Sequence, residues 1–121
     1  MQILYSEKEI QNRIAQLAKE ISLFYQNKDL TVIAVLNGAI LFAADLVRKL
    51  DLDCYLDCVA VESYQNNQSC GQINFRCKEK LSIKNRHVLL LDTVLDSGLT
   101  LKTLSQAMLK DSALSVRSCV L

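Results

Sequence analysis

Apolar residues recur along the chain at two different spacings, and the alternation between those spacings predicts the fold class. After Ser6-Glu7-Lys8-Glu9, a capping box, Ile10, Ile14, Leu17, Ile21 and Phe24 follow one another at intervals of three and four. This predicts an amphipathic helix from about Ser6 to Gln26, broken by Asn27-Lys28-Asp29. Leu30 to Leu36 is instead an unbroken, largely β-branched apolar run, the pattern of a strand covered on both faces. Asn37-Gly38 ends it.

The alternation then repeats. Ile40, Leu41, Ala44, Leu46, Val47 and Leu50 predict a second helix, and Cys54 to Val61 returns to strand character. Ser63 to Gly71 is polar and reads as a mobile loop, followed by a short strand over Gln72 to Cys77. A charged connection, Lys78 to Arg86, leads to a strand from His87 to Leu91. Leu101, Leu104, Met108 and Leu109 predict a helix, and Val116 to Leu121 a last strand. Strands alternating with helices predict an α/β fold: a mainly parallel sheet with helices on both faces.

Composition narrows this picture. The 121 residues, half of them hydrophobic, suffice for one core, so residues 1–121 read as a single domain. Fourteen basic against thirteen acidic residues leave a net charge of +1, which supplies no field for nucleic acid or an anionic membrane surface. Any phosphate site must be local. The apolar runs are too short to span a bilayer, and the acids in the opening MQILYSEKEI do not suit a signal peptide, so the expected location is cytoplasmic.

Five cysteines, with no CxxC pair and His87 as the only histidine, argue against a disulfide framework or a zinc site. Cys54 and Cys58, at even spacing in a strand, share a face and read as small apolar filler, whereas Cys70, in the polar loop, is the candidate for redox chemistry.

Candidate chemistry gathers where strands end. Leu89 to Thr100, LLLDTVLDSGLT, delivers Asp92 and Asp96 and then a Ser-Gly-Leu-Thr turn into a helix. Unpaired amides at that helix start, with the hydroxyls of Ser97 and Thr100, would cradle a phosphate, although Ser97 capping the helix and Gly98 easing the turn would produce the same pattern. Capping does not require two carboxylates four residues apart; a sugar diol with a hydrated magnesium ion, or proton transfer, would use them. Asn37-Gly38 is a second candidate turn, which lies beside the first if their strands are neighbours.

Three segments, LTVIAVLNGAILFAADLV (Leu30 to Val47), VESYQNNQSCGQI (Val61 to Ile73) and NRHVLLLDTVLDSGLTL (Asn85 to Leu101), follow in an order and spacing that closely resemble hypoxanthine-guanine phosphoribosyltransferases. The resemblance covers nearly the whole chain. It implies the type I phosphoribosyltransferase fold, which is Rossmann-like, and a purine salvage reaction. In that reaction the 5-phosphoribosyl group of phosphoribosyl pyrophosphate moves to N9 of hypoxanthine or guanine, giving IMP or GMP and pyrophosphate with Mg2+ present.

By the same resemblance, Asp96, Ser97, Gly98, Leu99 and Thr100 hold the 5′-phosphate, and Asp96 is the general acid/base facing N7 of the purine. Asn37 and Gly38 match the pyrophosphate-binding turn, where the family often has a lysine at the position of Asn37 and a cis peptide. Ser63 and Tyr64 match the Ser-Tyr pair of a mobile catalytic loop, residues 63–73, with Gly71 as its hinge. Asp92 and Thr93 stand where the family usually shows Glu-Asp for the ribose hydroxyls and the waters of magnesium. Asp92 is therefore the remaining metal contact, through water, and weaker magnesium and ribose binding is expected.

The family's purine-contacting lysine, its stacking aromatic and a further metal-binding aspartate correspond to positions beyond Leu121. The expectation is thus a fragment of a longer enzyme or a truncated form, the full-length protein being a homodimer or homotetramer. The alternative is a non-catalytic module that binds phosphoribosyl pyrophosphate or a nucleotide and serves regulation.

Overall fold

The computed structural model describes residues 6–61, 75–92 and 98–120, with side chains in the last stretch from residue 101 onward. Their order is α1 (Glu7–Phe24), β1 (Leu30–Val35), α2 (Ile40–Lys49), β2 (Cys54–Val61), β3 (Phe75–Cys77), β4 (His87–Asp92), α3 (Gly98–Lys110) and β5 (Ser115–Val120). The strands form one five-stranded sheet in the order β3-β2-β1-β4-β5. β1 runs parallel to β2 and β4, and β4 parallel to β5; only β3 is antiparallel, against β2. The α/β sheet expected from the sequence is therefore present.

β1 lies at the centre because all six of its residues can be buried. They serve two cores in alternation, as strand geometry dictates. Leu30, Val32 and Ala34 face α1 and α2 together with Leu89 and Leu91 of β4, while Ile33 and Val35 face α3 together with Val88 and Leu90. Thr31, the one polar residue in the run, is fully buried and accepts a 2.7 Å hydrogen bond from Arg86 Nε. Arg86 also donates to the Leu30 carbonyl at 2.8 Å and lies 3.9 Å over the Tyr55 ring, so one guanidinium joins β1, β2 and the start of β4.

The caps agree with the sequence, whereas the helix faces are partly corrected. Ser6 caps α1, its Oγ accepting from Glu9 N–H at 3.1 Å, and Asn27, with φ of 62°, adopts the left-handed turn that ends the segment. The apolar stripe of α1 and its exit runs through Ile14, Ala18, Ile21 and Tyr25, while Ile10 and Phe24 are exposed. Phe24 instead carries two cations over its ring, Lys28 at 4.8 Å and Arg117 at 4.7 Å. In α2 the buried face is Phe42, Ala43 and Leu46, and the expected Ile40 and Leu41 point outward. Leu109 of α3 is likewise exposed, with Leu101, Leu104 and Met108 inward. The spacing of apolar residues marks a helix, but the side facing the sheet depends on how the helix docks.

Cys54 and Cys58 both pack against the α1/α2 core, as filler on one face should. Among the described residues, no helix is long and apolar enough to cross a membrane.

Candidate active site

The carboxyl ends of β1 and β4 place the first parts of the candidate site. Beyond β1, Leu36 N–H donates to the Val59 carbonyl at 2.8 Å, holding the exit of β1 against β2. The Leu36–Asn37 peptide is cis, and Asn37 and Gly38 stand exposed at the sheet's edge. The turn closes back on itself through Ala39 N–H to Val35 O at 3.3 Å and Ile40 N–H to Asn37 O at 3.2 Å. α2 begins immediately after it with Ala39 at its cap, a residue that offers no side-chain acceptor.

Asp92 ends β4 and is half-buried. The register Ala34↔Leu91 puts Val35 level with Asp92, one strand spacing away, or about 4.8 Å between strands. The Asn37-Gly38 turn and Asp92 therefore follow from the ends of two neighbouring strands, which is the condition set for the turn to lie beside Asp96 to Thr100; Asp96 and Ser97 of that second turn are outside the described residues. α3 opens at Gly98, so its amino end follows β4 after the short segment 93–97. Leu99 and Thr100 lie in its first turn. Thr93, Asp96 and Ser97 lie outside the described residues, as do Ser63, Tyr64, Cys70 and Gly71.

His87 is at the opposite end of β4, roughly 16 Å from Asp92 at the rise of an extended strand. There its Nδ1 lies 2.7 Å from Ser115 Oγ, and its backbone N–H donates to Asp29 O at 2.9 Å. The only imidazole is thus a fastening between strand starts, remote from the candidate site.

Asp57 was not singled out from the sequence, although an acid inside a strand is uncommon enough to have marked it. Its carboxylate accepts from Cys58 N–H at 2.8 Å, Lys80 N–H at 2.7 Å and Leu81 N–H at 2.9 Å. Burial would raise its pKa, but these three amides and the Lys80 ammonium outweigh burial and hold it below the ordinary carboxylate value. The segment after β3 is thereby pinned to β2, and Ile83 drops into the α3 core instead of lying in a purely charged connection.

Among the described residues, no group of three or more His, Cys, Asp or Glu side chains could cage a metal. Magnesium does not require such a cage, because it keeps several waters and takes one or two carboxylates alongside phosphate oxygens.

An open, mostly parallel sheet with turns and an acid at its carboxyl edge defines an α/β protein of the class whose ligands sit beyond the strand ends. More narrowly, the chain belongs to the phosphoribosyl transferase domain family, whose model matches residues 2–121, and it has the type I phosphoribosyltransferase fold. It is 34% identical over 98% of its length to a hypoxanthine-guanine-xanthine phosphoribosyltransferase of Tritrichomonas foetus, of which it spans 65%. It is also 34% identical over 99% of its length to a hypoxanthine-guanine phosphoribosyltransferase of Aquifex aeolicus, of which it spans 68%. A crystal structure of a hypoxanthine-guanine phosphoribosyltransferase from Bacillus anthracis superposes with a TM-score of 0.92 at 30% identity, covering all of this chain and 72% of that one.

Proposed function

We propose that this chain forms the phosphoribosyl-binding part of a purine salvage transferase. Its reaction moves the 5-phosphoribosyl group of phosphoribosyl pyrophosphate to N9 of a 6-oxopurine, hypoxanthine or guanine, and releases pyrophosphate. The observation that carries this reading is the placement of the Asn37-Gly38 turn beside Asp92, at the carboxyl ends of two adjacent parallel strands, in a chain of this family.

In this reading the exposed amides of the Asn37-Gly38 turn take the pyrophosphate, and residues Asp96 to Thr100, at the start of α3, take the 5′-phosphate. Asp92, with Thr93 beside it, contacts the ribose hydroxyls and the waters of Mg2+. That ion, when bound, offsets the negative charge of the pyrophosphate. Asp96 holds or accepts a proton at purine N7 as the bond to N9 forms. Ser63 and Tyr64 close over the reaction centre with Gly71 as hinge, keeping water from a cationic ribose. The working assembly is a homo-oligomer, and its compartment is the cytoplasm.

Calorimetric titration of the chain with phosphoribosyl pyrophosphate, with and without magnesium, tests the reading. Saturable binding that strengthens with magnesium is expected, accompanied by a melting temperature that climbs with ligand concentration. Absence of both heat and thermal shift would overturn it.

A further inference from the structure

Cys58 of β2 and Cys77 of β3 stand together at the sheet's edge. In the antiparallel pairing Ala60 lies opposite Cys77, and Cys58, two residues from Ala60, projects from the same face. The Cys77 thiol donates to the Lys78 carbonyl at 3.9 Å and lies close enough to Cys58 to push that thiol up. Both residues are half-buried and both thiols are free. Asp57 reinforces the arrangement by holding Lys80 and Leu81 against β2, only three and four residues beyond Cys77.

We propose that Cys58 and Cys77 are a reversible disulfide site, formed by exchange with a small-molecule disulfide of the glutathione class. Cys77 reacts first: its thiolate attacks one sulfur of the small disulfide, giving a mixed disulfide and releasing one small thiolate. The Cys58 thiolate then attacks the Cys77 sulfur, closing the protein disulfide and releasing the second small thiolate. Two protein thiols lose two protons and two electrons, and the small disulfide is reduced to two thiols. Burial and the neighbouring Cys77 and Asp57 push the Cys58 thiol up, which suits it to the second, intramolecular step, where proximity compensates for a small thiolate fraction.

Closure needs a local adjustment, and the fold permits it. A diagonal pair across antiparallel strands has its Cβ atoms roughly 7 Å apart, against about 4 Å in a disulfide. β3 is a three-residue edge strand whose register already shifts between Ala60 and Val61, so it can slide along β2 without disturbing the central strands. The oxidised form therefore differs from the reduced form in the seating of β3.

The test uses the 121-residue chain equilibrated anaerobically in graded ratios of reduced and oxidised glutathione, quenched in acid, alkylated and mapped by peptide mass. The expected result is one linked peptide pair, Cys58 to Cys77, lighter by two hydrogens, within a monomer and lost on reduction. Cys77→Ser should abolish the link, while circular dichroism shows a retained fold. The proposal is overturned if no link forms at the most oxidising ratio, if Cys58 or Cys77 joins Cys54, Cys70 or Cys119 instead, or if links form only between chains. These readouts come chiefly from the unsubstituted protein, so a misfolded variant would not obscure them.

Discussion

At Asp57 a single carboxylate gathers amides from its own strand and from residues more than twenty positions away. Because its folded pKa is depressed, the stability it contributes is present above about pH 4, the unfolded value, and is lost as pH falls through the lower folded value. Asp57→Asn should cost about 1–3 kcal/mol at neutral pH and flatten the acid limb of stability, as urea melts between pH 3 and 7 would show. Glu79 has the opposite sign. Burial raises its pKa, and Oε2 is buried without a partner. Its contribution is therefore present below the unfolded value, near pH 4, and is lost as pH rises through the raised one. Glu79→Gln should stabilise the fold by about 0.5–1 kcal/mol at pH 7, read as a higher melting temperature. In the proposed reaction, Asp96→Asn should lower kcat by about 10²- to 10⁴-fold with little change in phosphoribosyl pyrophosphate binding; equal losses in both would remove Asp96 from its proton-transfer role.

At the scale of elements, the sequence shows that a helix follows β1 but not how it is turned. The buried side of α2 continues Ala39, Phe42, Ala43 and Leu46 at spacings of three and four, and it leaves Leu41 at 76% exposure. Leu46→Ala, at a fully buried position, should cost about 2–5 kcal/mol, whereas Leu41→Ala should change stability by less than about 0.5 kcal/mol. Paired denaturation curves check the contrast, and equal effects would contradict the docking of α2. The same limitation applies to α1, where two apolar stripes compete. Tyr25 and Ala18 win the core, and Phe24 is left to stack beneath Lys28 and Arg117.

For the whole molecule, the order β3-β2-β1-β4-β5 sets a gradient of protection. Native-state hydrogen exchange should be slowest in β1, which is paired on both sides and covered on both faces, and fastest in the edge strands β3 and β5. Much of this architecture was legible in local pattern: the capping box at Ser6, the break at Asn27, the bounds of β2 and the turn chemistry of Asn37-Gly38 each depend on residues within a few positions. Alternation of strands and helices then dictated a parallel sheet, because parallel neighbours need a crossover. What required the tertiary structure is everything decided by partners distant in sequence. Docking chose which apolar residues face the sheet, Arg86 satisfied the buried Thr31 hydroxyl from 55 positions away, and Asp57 drew in the chain beyond β3. The same holds at the site: the residues of the Asn37-Gly38 turn and Asp92 can be read singly from the sequence, but only the pairing of β1 with β4 brings them together.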